Sequence, residues 1–206
     1  MTTNWSVPRI FEGKTVAVLA SGHGLTQSVA DSVKNAGIPA LVTNNSFKMA
    51  PWADILVAND AVWWNESTGA LDFAGFKVCV QAKFSEFPQV MGLKDTGALF
   101  EKCGVDPNPE NVRTGGNSGY TAVHIAMQAG AKKILLCGMN MGGDNWHGPH
   151  AFPLRITKQE NYAAWINRFE SLVKPAKEIG VEIVIVTPNS ALKCFAYSNL
   201  HIELKL

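Results

Sequence analysis

Short solid apolar runs and amphipathic stripes take turns along the chain. Residues 15–20 (TVAVLA) form an unbroken apolar run, followed by a glycine-rich turn. Leu25, Val29, Val33 and Ala36 then recur at helical spacing, and Gly37 with Pro39 ends that helix. Residues 40–43, 54–58 (DILVA) and 76–80 (FKVCV) predict three further strands. A helix from Ser118, a residue type that caps helices, through Met127 is apolar nearly all round, which predicts burial. Gly130 stops it, and residues 133–137 (KILLC) predict the next strand. Tyr162, Trp165, Ile166, Phe169, Leu172 and Val173 make the longest stripe, in a helix that begins near Thr157 and kinks or restarts at Pro175. Residues 181–186 (VEIVIV) predict the last strand.

Such alternation, with strands apolar on both faces, predicts a parallel sheet covered by helices on each side. The expected fold class is α/β: a single doubly wound Rossmann-like domain over residues 1–206, with its core at about 14–196 and a mostly parallel sheet. The Gly-, Pro- and Asn-rich stretch at 92–117 reads as a long loop or lid. The tail, 201–206, alternates and reads as an edge strand or an interface segment, which leaves a homo-oligomer open.

Composition narrows the function classes. At 206 residues, 47% hydrophobic and 17% charged, the chain is not a disordered one. A net charge of +1 argues against a protein built to grip a nucleic-acid backbone. No run approaches the roughly 18 apolar residues of a membrane span. The N-terminus has no basic segment followed by an apolar run, so no signal peptide is expected. Cys79, Cys103, Cys137 and Cys194 form no CxxC pair, which disfavours zinc ribbons and dithiol redox sites; Cys79 and Cys137, in apolar strand-like runs, are expected as buried free thiols, and a cytoplasmic location follows.

In an open parallel sheet, ligands bind beyond the carboxyl ends of the strands, so candidate chemistry lies there. Gly22, His23, Gly24 and Leu25 follow the first strand and open a helix, where free amides and a positive dipole end suit a phosphate. The turn is neither GxGxxG nor a Walker loop, and a tight turn alone would also call for its glycines. Asn45 follows the second strand; Asn59 and Asp60 follow the third. These short polar residues can hold a base or ribose, or simply form turns. Of Trp63 and Trp64, one is expected in the core and the other is free to stack on a ring. Gly115, Gly116, Asn117, Ser118 and Gly119 make a second glycine-rich helix start on the same edge. Asn140 and Asp144 follow the strand at 133–137, and His147 and His150 lie in the Gly/Pro loop beyond. Histidine titrates near neutrality and can serve as a general base. The spacing of the two would also fit a metal, but no third ligand is placed, and no metal site is assigned.

The ordered set of motifs resembles a known superfamily. VAVLASGHGLT is similar to the GxGPSL opening of the Campylobacter-type bacterial sialyltransferases and the archaeal pterin diphosphokinase-like proteins. TNNSF resembles their N-x-F, at Asn45 and Phe47, and LVAND their strand-end asparagine, at Asn59. The segment from Gly116 to Met141 resembles their S-G-x…A-x-x-x-G-x-K-x-I-x-L-x-G-x-D, matching at Ser118, Gly119, Ala126, Gly130, Lys133, Ile134, Leu136 and Gly138. TPNSAL resembles their P-N-S, at Pro188, Asn189 and Ser190. The series runs from Thr15 to Phe195, and it also resembles proteins of tailed phages, which implies a host cytoplasm. His23 and Gly24 stand where the family has Pro and Ser, and Asn140 where it has Asp. The sialyltransferase lid tyrosines have no clear counterpart.

The resemblance implies a domain that binds a nucleotide or nucleotide-sugar donor, a CMP-sugar in the sialyltransferases, with no obligatory cofactor. The glycine turn, Asn45, Asn59, the Ser118–Gly119 helix start, Asn140, Asn189 and Ser190 would hold the donor, and His147 or His150 would take the proton of an acceptor whose identity is open. The alternatives are a Mg²⁺-dependent nucleotide diphosphokinase or phosphotransferase, for which Asp60 and Asp144 are the available carboxylates, and a non-catalytic nucleotide-binding module.

Overall fold

The first strand shows how the sequence builds two layers. In β1 (Thr15–Leu19) Val16 and Val18 enter one apolar cluster while Ala17 and Leu19 enter the other, because side chains alternate across a strand. The structure, a computed structural model, describes residues 5–80, 87–97, 101–149, 153–154 and 156–205.

Seven more strands complete the main sheet: β2 (Ala40–Thr43), β3 (Ile55–Val57), β4 (Phe76–Cys79), β5 (Val90–Gly92), β8 (Lys133–Cys137), β9 (Glu182–Ile185) and β10 (Ala196–Tyr197). Their order is β10-β9-β8-β1-β2-β3-β4-β5, and every pairing is parallel. Helices α1 (Gln27–Asn35), α2 (Ala61–Glu66) and α6 (Leu200–Leu204) cover one face through Ala30, Val33, Trp63, Trp64, Leu200 and Leu204. Helices α3 (Ser118–Gln128), α4 (Gln159–Phe169) and α5 (Val173–Glu178) cover the other, with Tyr120, Phe169, Leu172 and Ala176 against it. This is the doubly wound α/β fold that the patterning predicts.

Several local features differ from the pattern. Both Trp63 and Trp64 are core residues, edge-to-face at 5.0 Å, so neither is left to stack on a ligand. The described residues of the 92–117 stretch carry β6 (Lys94–Asp95) and β7 (Asn111–Val112), a small parallel pair of their own, and Asp106 and Arg113 donate their amides to His124 of α3. The tail begins in α6, where Lys133 donates to Glu203 at 2.7 Å, and the edge strand is β10 instead. The long stripe breaks earlier than the expected Pro175: a 3-10 turn at Glu170–Leu172 separates α4 from α5, and Pro175 falls in the first turn of α5, where its missing amide costs nothing.

The strand order reverses between β1 and β8. From β1 the chain winds outward through β2 to β5, then returns by α3 to β8 on the other side. Leu19 pairs with Cys137 at the carboxyl ends of these two strands, which makes the space beyond them the switch-point crevice of the fold.

Candidate functional site

The turn after β1 is packed hard against the end of β8. Gly22 donates its amide to the Gly138 carbonyl (2.9 Å), His23 to the Asp144 carbonyl (3.2 Å), Gly24 to Asn140 Oδ1 (2.8 Å) and Leu25 to the Gly22 carbonyl (2.9 Å). A Cβ on Gly22 would collide with the Gly138 carbonyl and stand 2.5 Å from Asn140 Oδ1. One on Gly24 would lie 2.9 Å from both Asn140 Oδ1 and the Thr187 methyl. The glycines thus permit two loops to touch, and all four amides that the sequence offers to a phosphate already meet protein acceptors. Asn140 is the clamp: buried, it also donates from Nδ2 to His23 Nε2 (3.2 Å), and its carbonyl accepts the Ala191 amide (2.9 Å). The side-chain amide serves both neighbours, its oxygen accepting from Gly24 and its nitrogen donating to His23.

The start of α3 is built differently. Gly115 and Gly116 take φ +53° and +76°, the left-handed region that glycine tolerates, and turn the chain into the helix. Asn117, rather than the expected Ser118, is the cap; its Oδ1 accepts the Tyr120 amide at 3.1 Å. That leaves the Ser118 Oγ free to accept the Asn59 amide (3.3 Å) and to donate to Asn44 Oδ1 (3.5 Å), joining the helix start to the ends of β2 and β3. The amides of residues 118 and 119 have no intrahelical partner by construction and carry the positive end of the dipole. From behind, His124 fixes the helix. Its Nε2 lies 3.0 Å from the Asp106 amide and its Nδ1 3.1 Å from the Arg113 amide, and burial pushes its pKa from 6.5 down to about 4.

Between these two loops lies a cleft of about 100 Å³, lined by Gly22 and Asn140 on one side and Ser118 and Gly119 on another. At roughly 10–15 Å³ per water-sized position this holds on the order of ten non-hydrogen atoms, a single ring or a phosphate group. With its open mouth the void reaches about 580 Å³. Tyr162 and Trp165 from α4 wall it, edge-to-face at 5.4 Å. Tyr162 donates its hydroxyl to the Gly143 carbonyl (3.0 Å), and burial, then the charge of Asp144, raises its pKa, so it stays a proton donor. Asn44 (φ +46°) and Met141 (φ +55°) also line the cleft. Non-glycine residues in left-handed backbone are strained, and such strain concentrates at functional sites. A larger groove, about 710 Å³, lies at the opposite edge of the sheet, beside the C-terminal ends of α3 and α5. The amino edge is not where open α/β sheets bind ligands.

No protein-family model and no curated protein matches the chain. Two solved structures of D-allulose 3-epimerase from Methylomonas sp., one of them in complex with D-allulose, align with it at 11% identity and a TM-score of 0.24. The alignments cover 87% and 98% of this chain but only 54% and 62% of those chains. At that score the likeness carries no argument.

Of the residues singled out by sequence, Gly22, Asn117, Ser118, Gly119, Asn140 and Asp144 come together at the cleft. The others are placed elsewhere. Asn45 Oδ1 accepts the Trp63 indole N–H (3.0 Å). Asn59 donates from Nδ2 to Thr121 (3.1 Å), and its Oδ1 is a buried acceptor without a partner. Asp60 is exposed at the start of α2. Asn189 is a turn residue at φ +57°, and Ser190 donates to the Met139 carbonyl (2.6 Å), tying the end of β9 to that of β8. His23 and Leu25 belong to the packed turn, with Leu25 in the core. His147 is half-buried and stands outside the cleft lining, two positions beyond Asn145, which is within it. Its loop is pinned by Trp146, which donates its amide to the Ser21 carbonyl (3.0 Å) and its indole N–H to Ser46 (3.4 Å). His150 lies outside the described residues. Tyr162, Trp165 and Asn44 were not foreseen as site residues; Asp144, expected as a carboxylate for Mg²⁺, does line the cleft.

Proposed function

We propose that the protein binds a nucleotide-sugar donor at the switch-point cleft and transfers the sugar to an acceptor hydroxyl. The observation that carries this reading is the α3 start, whose Ser118 and Gly119 open onto a ring-sized cleft at the carboxyl ends of β1 and β8. The donor phosphate meets the first-turn amides of α3, where the dipole favours an anion. The cleft takes one ring, and the rest of the donor lies in the open mouth. Transfer is a direct displacement: the acceptor oxygen bonds to the anomeric carbon as the bond to phosphate breaks, and the amides stabilise the charge gathering on the leaving phosphate. The acceptor proton goes to His147, carried on the same loop as Asp144 and Asn145.

The Mg²⁺-dependent phosphotransferase reading has less support, since Asp144 lines the cleft and Asp60 does not. A non-catalytic nucleotide-binding role is favoured by one observation, the position of His147 outside the lining. The experiment that separates them follows nucleotide release from a panel of nucleotide sugars with candidate acceptors, using the wild type, His147→Gln and His150→Gln. The transfer reading expects release by wild type and a fall of about 10²–10⁴-fold in one variant, with donor binding kept. Binding without release in any combination supports the binding module, and no binding at all overturns both.

A further inference from the structure

The cleft has an unusual polar complement. Its hydrogen-bonding side chains are amides and hydroxyls, among them Thr43, Asn44, Asn145 and Thr157, with Asp144 at the rim. No lysine or arginine lines it among the described residues. An amide or hydroxyl both donates and accepts, and so does each hydroxyl of a sugar. Tyr162 and Trp165 add a half-buried aromatic wall that suits the C–H face of a ring, and the volume of about 100 Å³ suits one ring.

Charge decides which ring. The start of α3 supplies about half a positive charge, and on the reading above the donor phosphates take it. A further anion carried by the ring would meet no lysine or arginine among the described lining residues and would face the Asp144 carboxylate. We propose that the group seated against Tyr162 and Trp165 is a neutral, hydroxyl-rich sugar, so that the donor is the nucleotide derivative of a neutral hexose and not of an acidic sugar. This rests on the nucleotide-sugar reading. Asp144 acts as the discriminating residue: it accepts hydrogen bonds from sugar hydroxyls and repels a carboxylate. Tyr162 supports it by bonding the carbonyl of Gly143, the residue before it, and so holding that strand-end loop in place.

The test is a calorimetric titration of the full chain with matched pairs. UDP-glucose and UDP-glucuronate differ only in the C6 group; GDP-mannose and CMP-sialic acid extend the comparison, beside UDP, GDP and CMP alone and the methyl glycosides of glucose and mannose. The neutral donors are expected to bind at least about fivefold tighter than their acidic counterparts, the size of one like-charge contact near water. Asp144→Asn, an exposed position, should close that gap to within about twofold. Acidic donors bound as tightly as neutral ones by wild type, or a gap that Asp144→Asn leaves intact, would overturn the neutral-sugar assignment while the nucleotide-sugar reading stands. Methyl glycosides bound with no gain from any attached nucleotide would keep the neutral ring and sink the nucleotide. Failure of every donor and glycoside to bind overturns both.

Discussion

The two glycine-rich helix starts, at residues 22–25 and 115–119, look alike in the sequence and are opposite in use. The first is closed. Its glycines let the chain touch the end of β8, and Gly138, Asn140 and Asp144 consume its amides. The second is open. Its glycines only steer the backbone, Asn117 takes over capping, and the first-turn amides of α3 stay at the cleft wall. A glycine-rich turn therefore signals a close approach of backbone to something, and the sequence does not say whether that something is a ligand or another strand end. At a switch point both uses sit a few ångströms apart, because the two strand ends that make the crevice must also pack on each other.

The comparison is broken most directly at Gly22. If the first turn is packing, Gly22→Val must push against the Gly138 carbonyl, which is backbone, and against Asn140 Oδ1, which the Gly24 amide holds in place. The expected cost is about 3 kcal/mol or more, at the upper end of overpacking. Urea unfolding of wild type and variant measures it. A variant as stable as wild type would mean that the turn has slack, and the first start would return to the list of ligand loops.

A second handle lies behind α3. His124 is neutral in the folded protein, with its pKa lowered to about 4 chiefly by burial, while in the unfolded chain it titrates near 6.5. The folded pKa is the depressed one, so the unfolded state takes up the proton first as pH falls. The stability this group contributes is complete above pH 6.5, declines between 6.5 and about 4, and levels off below that. The shift from 6.5 to about 4 converts to about 3 kcal/mol at roughly 1.4 kcal/mol per pH unit. Unfolding free energies at pH 7, 5.5 and 4 should show the decline. His124→Gln should flatten the part that His124 causes, leaving the contribution of carboxylates held low by partners, such as Glu203 beside Lys133. An identical decline in the variant would show that the helix is not held by a neutral histidine.

How far each region could be read from sequence follows from the same physics. The strands β1, β2 and β8 were legible because burial on both faces demands solid apolar runs. The strands β6 and β7 were not, since Lys94, Asp95 and Asn111 pair two residues at a time on the periphery, with no period to detect. The helix α6, LHIEL, is too short to show a helical stripe, and the tail from 201 happens to alternate. At the site, Ser118 and Gly119 were found because a helix start can be located from its glycines and the apolar run behind them. Tyr162 and Trp165 were missed for a geometric reason: their stripe continues into Phe169 and Leu172, which are fully buried, while its first turns pass beyond the strand ends and wall the cleft. Periodicity reports a face, not where along that face the sheet stops.

The finest test of the comparison is at Ser118. It is the first residue of α3, the position where proline is best tolerated, because the missing amide has no intrahelical acceptor and the fixed φ is already helical. Asn117 before it has φ −147° and ψ 131°, an extended conformation that a following proline accepts. Ser118→Pro should therefore leave stability within about 1 kcal/mol of wild type, the remaining loss coming from the hydroxyl contacts to Asn44 and the Asn59 amide. Ser118→Ala removes those contacts alone and serves as the reference. If the open start holds the donor phosphate, the proline variant loses about tenfold in nucleotide affinity beyond the alanine variant, the worth of one hydrogen bond to a charged group. Isothermal titration with the nucleotide that binds wild type best, paired with unfolding curves of all three proteins, reads both quantities. Equal affinities for proline and alanine would show that the amide of residue 118 faces no anion, and the open start of α3 would lose the role that separates it from the closed one.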